Sequence, residues 1–119
     1  MASPTQRTLE YYRSYGIEID VVERWIPQAR IRKDLFGFID LVAITDKKTV
    51  GVQATSTGNM GARERKILAT PAAKIWAAAP DREVLIIGWR KYRRVETSGP
   101  FKGKLWRPTE RLITYDQFD

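Results

Sequence analysis

Two short apolar segments constrain this chain most: Leu35-Phe36-Gly37-Phe38-Ile39-Asp40-Leu41-Val42-Ala43-Ile44 and Gly51-Val52-Gln53-Ala54-Thr55-Ser56. Each reads as a buried strand interrupted by polar groups that a core strand should not contain. The first is apolar on both faces around Asp40, so it is expected inside a sheet covered on both sides. An ionised carboxylate there is unfavourable unless something compensates its charge. Pairing with a nearby Arg is the ordinary solution. A divalent metal is the one that would also confer a function.

The chain has no cysteine and no histidine. Disulfides, thiolate sites, imidazole bases, Ser-His-Asp triads and most zinc sites are therefore excluded. A metal would have to be held by oxygen, which selects Mg2+ or Mn2+. Length points to one domain spanning residues 1–119. Hydrophobic residues make up 43% and charged residues 29%, a globular rather than a disordered composition. No apolar run reaches a membrane span and the N-terminus lacks a signal h-region, so a cytoplasmic protein is expected. The 21 Lys and Arg against 14 Asp and Glu leave +7 around the apolar aspartate, a distribution that draws polyanions such as nucleic acid.

Capping and periodicity predict a helix from Ser3 or Thr5 to about Tyr15, stopped by Gly16. A strand follows over Ile17 to Ile26, closed by Pro27. Residues 28–34 read as a basic loop, Phe36 to Thr45 as a second strand, Asp46-Lys47-Lys48 as a turn and Thr49 to Thr55 as a third strand. Ser56 to Asn59 lead into a helix from Met60 to Ala69. Thr70-Pro71 starts a second helical piece that runs to Ala79 and ends at Pro80. Glu83 to Trp89 is a fourth strand, Arg90 to Lys104 a basic loop, and one or two strands lie between Leu105 and Tyr115. Burying the apolar faces of these elements gives an α/β fold with a mixed central sheet flanked by helices.

A two-residue loop at Asp46-Lys47 places Asp40 opposite Gln53, whereas a four-residue loop places it opposite Thr55. Both group Asp40, Gln53 and Thr55 on one face. The Asp40 carboxylate, the Gln53 amide, a backbone carbonyl near Ala54 and waters would make a magnesium site short of one negative charge. Asp34, Glu23 and Glu10 are the candidate second carboxylates, each equally readable as a salt-bridge partner. The four tryptophans read as core or dimer contacts, and Trp76 among alanines marks a helix surface suited to close approach.

The segment Gly37-Phe38-Ile39-Asp40-Leu41-Val42-Ala43, with Gly51-Val52-Gln53-Ala54-Thr55-Ser56, resembles the motif of the PD-(D/E)XK, restriction-endonuclease-like nuclease superfamily. Among its members the chain is most similar to small archaeal-type Holliday junction resolvases. The resemblance implies an αβββαβ core, with the metal-binding Asp at Asp40, Gln53 at the acidic place and Thr55 at the lysine place. It also implies a metal-dependent endonuclease acting on branched DNA, and a homodimer to match a two-fold junction. Threonine cannot supply the lysine's charge, so Arg63, Arg65 and Lys66 on the next helix are candidate substitutes, with Lys66 preferred for chemistry. The acidic residue that the resolvases carry early in the first helix falls near Thr5, not at Glu10. Ser56, Thr57 and Asn59 would cradle a phosphate, and Arg30, Arg32 and Lys33 would track the DNA backbone. Gln53 and Thr55 also suit two rivals: a non-catalytic nucleic-acid-binding protein on a degenerate nuclease fold, and a nicking or repair endonuclease.

Overall fold

The computed structural model describes residues 2–119. Helix α1 (Pro4–Ser14) begins where the Ser3 side chain accepts from the Gln6 N–H, and stops before Gly16 at φ 74°. Strands β1 (Glu18–Val21), β4 (Leu41–Ile44), β5 (Thr49–Ser56), β6 (Arg82–Lys91) and β7 (Trp106–Ile113) form one sheet in the order β1-β4-β5-β6-β7. Only β5 and β6 run parallel, joined through a 3-10 turn at Thr57–Asn59 and helices α2 (Met60–Leu68) and α3 (Pro71–Ala78). Strands β2 (Arg24–Ile26) and β3 (Ile31–Lys33) pair separately as an antiparallel ribbon. This is a mixed α/β architecture. No helix among the described residues is long and apolar enough to cross a membrane.

Alternation along the strands divides the core between the two sheet faces. On β6, Val84 and Ile86 join Phe38, Ile39, Met60, Ile67 and Ala73 beneath α2 and α3. Ile87 and Trp89 point the other way, with Leu41, Val52 and Ala54 against Leu9, Tyr11 and Tyr12 of α1. Trp89 is buried and its Nε1 donates to the Thr8 hydroxyl at 3.0 Å. Trp76 turns inward, edge-on to Phe38, with its Nε1 donating to the Glu83 carbonyl. Trp25 instead stands on the ribbon, 53% exposed, and belongs to neither core.

Three sequence expectations are corrected. The strand over Ile17 to Ile26 is two strands in different sheets. After Val21 pairs with Leu41, the carbonyl of Asp40 accepts from both the Val22 and Glu23 N–H groups, at 2.8 and 3.1 Å. Two residues opposing one is the geometry of a β-bulge, and it turns the chain out of the sheet. The basic loop at 28–34 contains β3. The strand over Phe36 to Thr45 contracts to Leu41–Ile44, because Phe36 and Gly37 take φ 54° and 82° in a tight turn closed by the Leu35–Ile39 bridge. Between β4 and β5 the two-residue register holds. Ile44 pairs with Thr49, and Thr45 donates to the Lys48 carbonyl.

Candidate metal centre

Asp40 stands one residue before β4, just beyond the Leu41–Val52 pair that ends the β4–β5 ladder on the side of Gln53. Its N–H donates to the Val52 carbonyl at 2.9 Å, while its Oδ2 accepts from the Ala54 N–H at 3.0 Å. The two hydrogen bonds hold Asp40, buried, in the wall of a cleft of about 850 Å³. The bulge at Val22-Glu23 directs Glu23 into the same cleft, and Asp34 enters from the end of β3. Carboxylate oxygens of Glu23, Asp34 and Asp40 lie within 4.8 Å of one another.

Burial, then the adjoining Asp34 carboxyl, pushes the Asp40 carboxyl from its ordinary 3.8 up to about 8, against the opposing pull of the Ala54 N–H. Gln53 is 2% exposed; its Nε2 donates to Asp34 Oδ2 at 3.1 Å, while its Oε1 is buried without any hydrogen-bond partner. An unpaired buried acceptor costs about 1–3 kcal/mol. A hard cation beside it would satisfy that oxygen and relieve the crowding of three carboxylates at once. The donor set is entirely oxygen, which fits Mg2+ or Mn2+.

Cations stand at the rim. Lys66 Nζ lies 3.7 Å from Asp34 Oδ2, and an Arg32 guanidinium nitrogen lies 3.5 Å from Glu23 Oε1. Arg63, one turn before Lys66 on α2, lines the same cleft with Ser56, Asn59, Ala54 and the buried Thr55. The cleft therefore gathers Asp40, Gln53, Asp34, Glu23, Thr55, Ala54, Lys66, Arg63, Arg32, Ser56 and Asn59. It does not gather Thr57, Arg65, Arg30 or Lys33. Arg65 points back along α2 toward Gly61, Arg30 sits in the ribbon's turn at φ 52°, and Lys33 is exposed on β3. Glu10 lies away from the centre, hydrogen-bonded to Gln6 on α1.

Ser3, Gln6 and Thr5 from the start of α1 also line the cleft, and the Thr5 hydroxyl donates to Glu23 Oε1 at 3.5 Å. Ser3 and Gln6 were missed by sequence reasoning. Their only local signal is the cap itself, which says nothing about what the helix end faces. Comparison of the chain with protein-family models, curated proteins and solved structures finds no match in any of the three.

Proposed function

We propose that the chain is a divalent-metal-dependent endodeoxyribonuclease that hydrolyses phosphodiester bonds in branched DNA, four-way junctions in particular. The observation that carries this reading is the buried, unpartnered Gln53 Oε1 in a cleft where three carboxylates converge. The element order supports it: a helix, a strand, the β4–β5 hairpin, helices and a parallel strand come in the sequence that the restriction-endonuclease-like reading calls for, apart from the β2–β3 ribbon.

Asp40, Asp34 and Gln53 would hold the ion, with Glu23 as a further carboxylate. Bound there, Mg2+ or Mn2+ would supply Lewis acidity toward a phosphoryl oxygen and lower the pKa of water. The chain's own residues do the rest. Lys66 brings an ammonium beside Asp34, which supplies the positive charge that Thr55 lacks. Arg63, Asn59 and Ser56 would receive the phosphate on the α2 side, and Arg32 on the ribbon side. Cutting a two-fold junction symmetrically calls for two copies, hence a homodimer on this substrate.

The test is incubation with junction, flap, duplex and single-stranded DNA in Mg2+, in Mn2+ and in chelator. Metal-dependent cleavage is expected. Asp40→Asn should lower it by about a hundredfold or more while binding persists, and Lys66→Ala should slow it at saturating protein. Wild-type rates in Asp40→Asn would overturn the assignment. Binding without cleavage in either metal would favour the non-catalytic reading that Gln53 and Thr55 motivate.

A further inference from the structure

The β2–β3 ribbon has a register in which Arg24 faces Lys33, Trp25 faces Arg32, and Ile26 faces Ile31. Continued one row toward its base, the same register sets Glu23 opposite Asp34, two of the three carboxylates at the centre. Alternate rows of a ribbon share a face. Trp25 and Arg32 therefore stand on the face of the acid pair, two rows higher, or roughly 7 Å along the ribbon. Arg32 bears this out, since it lines the cleft and pairs with Glu23 at 3.5 Å.

Trp25 is 53% exposed although the two cores take up other aromatic rings of the chain. Around it the ribbon carries Arg24, Arg30, Arg32 and Lys33, all exposed and all cationic. A large exposed indole that shares its face with Arg32, on a ribbon whose other face carries Arg24 and Lys33, matches an aromatic polyanion, and single-stranded nucleic acid is the polymer that alternates phosphates with rings. A base inside a duplex has both faces covered by its neighbours, so only an unpaired base can lie on the indole.

We propose, resting on the nuclease reading above, that Trp25 is the stacking platform for one unpaired base next to the scissile phosphate. Arg32 then holds the intervening phosphate. The substrate class follows from this: DNA with unpaired nucleotides at the cut, such as forks, flaps or opened junction arms, in preference to continuous duplex.

The experiment uses full-length protein in the Asp40→Asn background, so that binding is read without cutting. A fork with 2-aminopurine as its first unpaired base is compared with a fully paired duplex of equal length. Binding should quench the 2-aminopurine. Trp25→Ala should remove the quenching and weaken fork binding by about ten- to a hundredfold, with duplex binding changed by less than about twofold. Trp25→Phe, which keeps an aromatic face, should restore most of the fork affinity, and the unchanged duplex binding separates lost stacking from a structural loss.

Equal weakening on fork and duplex, or none on either, overturns the proposal. So does a shift of Trp25→Ala from dimer to monomer in sedimentation, which would make Trp25 a contact between copies. If the wild type cuts DNA and Trp25→Ala binds forks as tightly, this inference alone falls. If the wild type binds no DNA, the nuclease reading falls and this inference with it.

Discussion

Asp40 is held by two backbone hydrogen bonds and yet is crowded by Asp34 and Glu23, which makes its protonation a measurable property of the metal-free fold. The unfolded chain releases this proton near the ordinary 3.8, whereas the folded chain keeps it until about 8. Between those values the native state binds more protons than the unfolded state, so Asp40 makes stability fall as pH rises, and the loss levels off above about pH 8. Urea midpoints measured in chelator across that window should decline, and Asp40→Asn should flatten the decline. A slope unchanged in the variant would show that Asp40 titrates elsewhere. Added Mn2+ should do the opposite in the wild type. Its ligands must be deprotonated, so its stabilisation grows with pH and its binding releases protons. Gln53 joins the cluster without titrating: its amide donates to Asp34 and brings no charge of its own.

At the scale of elements, the site depends on how closely the start of α2 approaches β6. Gly88 pairs with Thr55 across the parallel ladder and lies under the 3-10 turn. A Cβ there would meet Met60 Sδ at 2.4 Å and the Thr57 backbone at 3.1 Å. Met60 is buried in the core, so little room exists for it to yield. Gly88→Ala is expected to destabilise the fold by about 1–3 kcal/mol and to push α2, with Arg63 and Lys66, away from Asp34. Denaturant titration reads the first effect and single-turnover cleavage the second; a variant of wild-type stability would mean that α2 packs less tightly than this. The ribbon is the other decisive element, since the bulge opposite Asp40 both ends β1 and delivers Glu23.

Across the whole molecule, a net charge of +7 surrounds a centre that is itself acidic. On the proposed nuclease reading, nucleic acid would be drawn by the rim and the ribbon, and a bound cation would let a phosphate reach the carboxylates. Affinity for DNA should fall with salt at a log–log slope near −0.9 per phosphate contacted. Arg63→Ala, at the rim, should make that slope shallower by about one contact. Affinity independent of salt would contradict an electrostatic interface.

Much of this was legible along the chain because it is local. Ser3 caps α1 with its side-chain oxygen and Gly16 ends it at positive φ, Pro71 and Pro80 bracket α3, and either even-numbered loop read at Asp46-Lys47 groups Asp40, Gln53 and Thr55 on one face. The oxygen-only donor set follows from a composition without histidine or cysteine. The ribbon was not legible. Its strands are three residues each, and the bulge that separates β1 from β2 exists only because one carbonyl of a distant segment accepts two amides. Nor could an apolar run such as Leu35 to Ile39 announce a turn, since periodicity does not distinguish it from a strand and only Gly37 hints at positive φ. Which carboxylates join Asp40, and which helix cation stands beside them, was decided by tertiary structure. Glu23, Asp34 and Lys66 come from three separate elements, and no spacing along a chain encodes the distance between elements that meet only when the core closes.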